Sequence, residues 1–171
     1  MRPLVLLALA ACSGSPRATT PARFYSADGQ GIREVGPDGR LLRALTTTPT
    51  QVFRALPDGT VVFVKATGDD ALAPIEVRSI RADGSGERIL ATIEPTVICG
   101  AEVDYILGLQ RNEDLWTGED GAVCLELADA AGASPELVQV HRFAPADGAH
   151  TEAFVKAPPG CPPVAPRDPC R

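Results

Sequence analysis

The chain has 171 residues, with 22 acidic against 16 basic side chains and a formal net charge of -6. An acidic chain without a clustered basic patch is a poor partner for nucleic acid, so that class of function is excluded. The length is enough for one domain with a modest core rather than for two. We therefore expect a single domain that has no nucleic-acid partner.

The first twelve residues have the order of a secretory signal, in which a positive charge precedes an apolar run and small side chains. Arg2 is the only charge in this segment, and Ala10 and Ala11 stand directly before Cys12. The apolar run is far shorter than the roughly 20 residues that span a bilayer as a helix. We interpret residues 1–11 as a signal peptide. The alternatives are a conventional signal peptide with an incidental cysteine and a buried N-terminal strand.

Leu9-Ala10-Ala11-Cys12 resembles the lipobox of bacterial lipoproteins, in which the cysteine is acylated and becomes the first residue of the mature protein. The resemblance implies that Cys12 carries lipid, and two or three acyl chains hold a protein stably on a membrane. It also implies a place in the cell envelope. Under the sorting rules of some bacteria, Ser13 favours the outer membrane. Membrane lipid is then a partner through Cys12 alone, because the chain has no polybasic patch.

Residues 12–23 are small and polar and are expected to form a flexible linker. Beyond them, Asp-Gly dipeptides separate apolar runs such as Val61–Val64 and Val77–Ile80, and this pattern is a strong hairpin signal. Helical periodicity is weak, so residues 24–157 are predicted to form an all-β domain. Residues 125–137 contain many alanines together with glycine and proline, and are expected to be a loop, with a short helix as the alternative. The six aspartates of the dipeptides are Asp28, Asp38, Asp58, Asp83, Asp120 and Asp147.

The turns recur in register, which indicates an internal repeat. Val35 and Ile80 each precede a turn aspartate by three residues, and Leu45 and Leu90 each follow one by seven. The stretch Ala82-Asp83-Gly84-Ser85-Gly86 resembles the turn of TolB-type β-propeller repeats. The resemblance implies blades of four strands, with half a blade in residues 24–47, one in 50–95 and one in 98–157. Because propellers typically need at least four blades to close, we expect antiparallel hairpins in a partial β-propeller or a β-sandwich.

Once Cys12 is assigned to lipid, the cysteines that are left are Cys99, Cys124, Cys161 and Cys170. Four cysteines can pair in three ways, and an oxidising envelope favours disulfides over free thiols. Proximity in sequence favours Cys99 with Cys124 and Cys161 with Cys170. The second pair would staple the Pro-rich tail, residues 158–171, which has little apolar content of its own. A structural zinc site is the disfavoured alternative, because the sequence has no Cys-x-x-Cys.

The sequence has no nucleophile elbow, P-loop, Rossmann glycine pattern or His-Glu-x-x-His helix. We therefore expect no enzyme, no catalytic residue, no cofactor and no metal. His141 lies in an apolar run and is expected to be a half-buried strand residue, whereas His150 lies beside a turn and is expected to be exposed. The acidic residues 112–114 and 119–120 are expected to form a solvated loop rather than a calcium site. Trp116, the only tryptophan, is a possible binding anchor, although core positions are commoner for this residue type.

These features predict a non-enzymatic envelope lipoprotein whose β domain binds another envelope protein or a glycan. The alternative is an accessory subunit or a remnant of a propeller-containing hydrolase, as the propeller resemblance implies. The sequence leaves the ligand and the oligomeric state open.

Overall fold

The computed structural model describes most of the chain beyond the linker. The predicted signal peptide, Cys12 and the linker up to residue 22 lie outside the described residues, as do Asp28, Cys99 and Asp147. In the part that is described, no helix is long and apolar enough to cross a membrane. The described residues are 23–27, 29–50, 52–68, 73–94, 96–98, 104–108, 114–118, 120–129, 137–144, 148–157 and 161–171.

Thirteen strands occur within these residues, and every pairing between them is antiparallel. The prediction of an all-β domain built from antiparallel hairpins is confirmed. The strands are β1 (Phe24–Ala27), β2 (Ile32–Val35), β3 (Leu41–Thr46), β4 (Val52–Ala55), β5 (Val61–Ala66), β6 (Ile75–Ile80), β7 (Arg88–Ile93), β8 (Thr96–Ile98), β9 (Asp104–Gly108), β10 (Leu115–Thr117), β11 (Val123–Asp129), β12 (Val138–Ala144) and β13 (Ala149–Lys156).

The described strands form three sheets. The first has the order β1-β2-β3, and the second has the order β4-β5-β6-β7, which is the predicted four-stranded unit. The third has the order β13-β12-β11-β9-β8, with β10 also paired to β11. Residues 24–47 therefore supply three strands rather than the predicted half unit, because β1 pairs along its whole length with β2. The third sheet exceeds the predicted unit by β8 and β9.

The sheets stack face to face, and the second lies in the middle. Its strand β5 is buried on both sides: Val61 and Phe63 pack with Ile32 and Leu45 of the first sheet, while Val62 and Val64 belong to the core that contains Leu125 and Phe143 of the third. A strand covered on both faces needs apolar residues at successive positions, which accounts for the unbroken run from Val61 to Val64. Full burial of each such side chain stabilises the fold by about 1.5–3 kcal/mol.

Strand β4 of the second sheet contacts β1 of the first sheet and β10 of the third, so these three strands lie side by side. This stacking of antiparallel sheets is compatible with a partial β-propeller. It is equally compatible with a β-sandwich, in which antiparallel sheets also pack face to face.

Hydrogen bonds also join the sheets. Glu87, just before β7, accepts bonds from the hydroxyls of Thr46 at 2.7 Å and Thr48 at 2.9 Å, which ties the second sheet to the first. Arg54 on β4 donates from Nε to the carbonyl oxygen of Leu115 at 3.0 Å, which ties the second sheet to the third. A hydrogen bond of this kind contributes about 0.5–1.5 kcal/mol, more when one partner is charged.

Four of the Asp-Gly turns share one set of hydrogen bonds. In each, the aspartate Oδ1 accepts from the backbone N–H two residues on, at 2.8–3.1 Å, and the glycine has a φ of 78–87°. Among the described residues only glycines have a positive φ. The loops are therefore three-residue turns that end in a glycine bulge. The glycine supplies the positive φ, and the aspartate stabilises the turn through its side chain. The four aspartates are Asp38, Asp58, Asp83 and Asp120.

The interpretation of residues 125–137 as a loop is wrong for their first part. Strand β11 continues from Val123 to Asp129 and pairs with β12 over six residue pairs. Leu125 and Leu127 are fully buried in it, so packing against the second sheet outweighs the weak β propensity of the alanine-rich sequence. Residues 130–136 lie outside the described residues.

Candidate functional site

The hairpin of β12 and β13 gathers two histidines and a glutamate on one face. His141 stands directly opposite Glu152, and Phe143 stands opposite His150. Side chains two residues apart on a strand share a face, so all four project to the same side. This is the core side, because His141 and Phe143 also pair with Leu125 and Val123 on β11.

His141 is fully buried, with 0% of its surface exposed, so the expectation of a half-buried residue is wrong. The reason is the position of β12 inside its sheet, between β11 and β13. His150 lies on the edge strand β13 and is exposed, as predicted. The cluster therefore has a buried end at His141 and an open end at His150 and Glu152.

The polar atoms of the three side chains are close together. Nδ1 of His141 lies 3.1 Å from Nε2 of His150 and 3.5 Å from Oε2 of Glu152. The rings of Phe143 and His150 stack with centroids 4.7 Å apart, and those of His141 and His150 with centroids 5.3 Å apart. Stacking fixes the ring planes, so the imidazole nitrogens are held at short range.

Both imidazoles favour the neutral form. Burial lowers the pKa of His141 to about 4, and the neighbouring His150 adds to this effect. The pKa of His150 is also lowered, chiefly because packing against His141 and Phe143 partly desolvates its otherwise exposed ring, while Glu152 opposes the change. Within the described structure, Nε2 of His141 has no hydrogen-bond partner. A neutral His141 with its proton on Nδ1 can donate a hydrogen bond to Nε2 of His150. Its own Nε2 is then an acceptor without a hydrogen-bond donor among the described residues.

This arrangement was not predicted from the sequence, where the two histidines were interpreted separately. The signal is the pair of alternating triplets His141-x-Phe143 and His150-x-Glu152 on either side of a turn. It becomes informative only when the hairpin register is known, because a shift by one residue would place the two triplets on opposite faces.

A second polar feature is a cleft between the turns of the first and second sheets, with a volume of about 480 Å³. Charged side chains of both signs line it, namely Arg23, Arg43, Arg81, Asp58 and Asp83. Arg43 is held in place by Oε2 of Glu34 at 2.7 Å and by the carbonyl oxygen of Ala82. Bonds from the hydroxyl and the backbone N–H of Ser85 lower the pKa of Asp83, which keeps this carboxylate ionised. The cleft therefore suits a polar ligand rather than an apolar one.

Trp116 lies on β10 and is half-buried. Its ring packs against the cluster that contains Cys124 and Cys170, and the guanidinium of Arg171 stands 5.8 Å from the ring centroid. The tail and the third sheet therefore both contact the Trp116 ring. The tail also runs beside the edge strand, where the N–H of Ala165 donates to the carbonyl oxygen of Phe154 at 2.7 Å.

Cys124 on β11 forms a disulfide with Cys170 in the tail, across 46 residues of sequence. The pairing expected from proximity is therefore wrong. The tail folds back over the outer face of the third sheet, which brings Cys170 to the start of β11. Cys161 is disulfide-bonded as well, whereas Cys99 lies outside the described residues.

Two members of the acidic stretch are described. Asp114 is buried at 7% exposure rather than solvated, because it directly precedes Leu115, which is part of the core. Asp120 is exposed, accepts the N–H of Ala122 and pairs with Arg142, and these two contacts lower the pKa of its carboxyl. Residues 111–113 and 119 lie outside the described residues.

Comparison of the chain with protein-family models, with curated proteins and with solved structures finds no match.

Proposed function

We propose that the protein is a lipoprotein of the bacterial cell envelope, anchored by acylated Cys12, whose β domain is a binding module for another envelope protein or a glycan. The observation that carries the proposal is the disulfide between Cys124 and Cys170. Disulfides persist in exported proteins and are rare in the reducing cytosol. The bond therefore supports an exported chain, as the lipobox resemblance at Leu9 to Cys12 implies.

The anchor is tested by metabolic labelling with a clickable palmitate analogue in a bacterial host. The wild type is expected to carry the label, to fractionate with membranes and to give an intact mass that begins at Cys12. Cys12→Ser is expected to lose the label. Ser15→Ala, a change in the linker that leaves every cysteine in place, is the control and should keep the label. Label on Cys12→Ser, or none on the wild type, would refute the lipid anchor.

The charged cleft between the first two sheets supports the binding role. It offers guanidinium donors and carboxylate acceptors within a volume of about 480 Å³, and such groups recognise hydroxyl-rich or charged ligands rather than apolar ones. Sorting to the outer membrane, suggested by Ser13, would place this cleft within reach of envelope proteins and cell-wall glycan.

The binding role is tested by crosslinking in intact envelopes and by co-sedimentation with purified peptidoglycan. Arg23→Glu/Arg81→Glu is expected to abolish crosslinking or sedimentation, whereas Arg167→Glu, an exposed charge change in the tail, should leave it intact. Equal behaviour of the two variants would refute the cleft as the binding surface. Hydrolysis of an envelope substrate by the purified chain would instead favour the alternative, an accessory or remnant of a hydrolase.

A further inference from the structure

We propose that His141, His150 and Glu152 bind one divalent transition-metal ion, with Zn²⁺ as the reference ion. Each residue offers one ligand atom, and the three atoms lie within 4.8 Å of one another. The proposal is independent of the lipid anchor and of the charged cleft, because it uses only the hairpin of β12 and β13.

Two of the three separations are close to those of a tetrahedral site. Zinc binds imidazole nitrogen and carboxylate oxygen at about 2.0–2.2 Å, so two ligands of one tetrahedral ion lie roughly 3.3 Å apart. The observed separations from Nδ1 of His141 are 3.1 Å to His150 and 3.5 Å to Glu152. The third separation, between His150 and Glu152, lies within 4.8 Å, so these two side chains must adjust to admit the ion. Both are exposed on the edge strand β13, which permits this adjustment.

The ligands are held by a rigid part of the fold. β12 pairs with β11 on one side and with β13 on the other, so the Cα positions of His141, His150 and Glu152 are set by backbone hydrogen bonds. A site built on paired strands is positioned more accurately than one built on loops. The exposure of His150 and Glu152 gives the ion access from solvent and leaves room for a water molecule at the fourth position.

The donor set selects the class of metal. Two imidazole nitrogens and one carboxylate suit zinc and its neighbours in the first transition series, whereas calcium and magnesium prefer oxygen ligands. One feature weakens the site. When Nδ1 of His141 binds metal, the proton moves to Nε2, which has no partner among the described atoms. We therefore expect weaker affinity than in zinc sites whose histidines are supported by a second hydrogen bond.

The test uses the full chain purified in detergent with its disulfides intact and its metal removed by EDTA. Zn²⁺ binding is followed by calorimetry, and Co²⁺ binding by the visible absorption that tetrahedral cobalt gives. One ion per chain, an intense tetrahedral Co²⁺ spectrum and no response to Mg²⁺ are expected. The absence of Zn²⁺ binding at millimolar concentration would overturn the proposal.

Two variants at the exposed end keep the test interpretable, because they leave buried His141 in place. His150→Asn and Glu152→Gln are each expected to weaken binding by more than about tenfold, since loss of a ligand exceeds the effect of losing an outer-shell partner. Glu126→Gln is the matched control. Glu126 lies opposite Val140 on β12, on the other face of the same sheet. Equal binding by Glu152→Gln and Glu126→Gln would place the metal elsewhere and refute the site.

Discussion

Replacement of His141 by leucine should remove much of the acid sensitivity of the fold. Burial lowers the pKa of this imidazole from 6.5 to about 4 in the native protein, whereas the unfolded chain has the ordinary value. Between these two pH values the unfolded state binds a proton that the native state excludes, so the free energy of unfolding decreases as the pH falls. The slope is about 1.36 kcal/mol per pH unit, and the decrease is about 3 kcal/mol over this window. Above pH 6.5 the imidazole is neutral in both states, so this loss of stability is absent.

The measurement is urea unfolding in the presence of EDTA at several pH values between 7 and 4, followed by the fluorescence of Trp116. Carboxylates with lowered pKa values, such as Asp83 and Asp120, also weaken the fold in acid, but they are common to both proteins. The difference between wild type and His141→Leu at each pH therefore isolates the imidazole. We expect the leucine variant to gain about 3 kcal/mol relative to wild type from pH 6.5 to pH 4.

His150→Asn provides the comparison within the same cluster. The pKa of His150 is lowered as well, but its ring is exposed, so its pH dependence should have the same sign and a smaller size. Unfolding free energies of wild type and His141→Leu that run parallel within about 0.5 kcal/mol over the whole range would refute the reasoning. Such a result would mean that His141 has an ordinary pKa in the native protein.

Further predictions concern the disulfide and the backbone. Cys124→Ser/Cys170→Ser should lower the unfolding free energy by about 4 kcal/mol, which is the loop-closure contribution for a 46-residue separation. The measurement is urea unfolding of oxidised samples, and a decrease below about 1 kcal/mol would contradict the loop-closure account. Gly31→Ala should destabilise strongly, because φ is +134° and a Cβ would lie 2.1 Å from the carbonyl oxygen of Thr46. Gly39→Ala, with nothing within 4 Å of the added Cβ, should cost only about 1 kcal/mol for its positive φ, and equal melting temperatures of the two variants would contradict this account.

The strands of the hairpins could be predicted from the sequence because their signals are local. An aspartate that bonds to its own turn and a glycine that supplies the positive φ act within five residues, as at Asp58 and Gly59. The run from Val61 to Val64 is also informative, since continuous apolar residues mark a strand covered on both faces. Fold class and hairpin positions follow from such features.

The site and the disulfide could not be predicted because both depend on where distant segments return. Cys170 meets Cys124 only after the tail has folded over the third sheet, and sequence proximity carries no information on that path. The pairing of His141 with Glu152 depends on the register of the β12–β13 hairpin, which the sequence alone does not define. The strand from Val123 to Asp129 was missed for a related reason, since its stability comes from burial of Leu125 and Leu127 rather than from local propensity.

The packing of the tail on β11 also determines when the disulfide can form. Cys124 is 0% exposed and Cys170 is 7% exposed in the folded domain, so an oxidoreductase cannot reach either sulfur once the tail is seated. The bond must therefore form before the tail is fully seated on β11. Once formed, the disulfide is shielded from reductants and is structural rather than redox-sensing. A chain whose tail docks before oxidation would bury both thiols and keep them reduced. Disulfide formation must therefore precede docking of the tail.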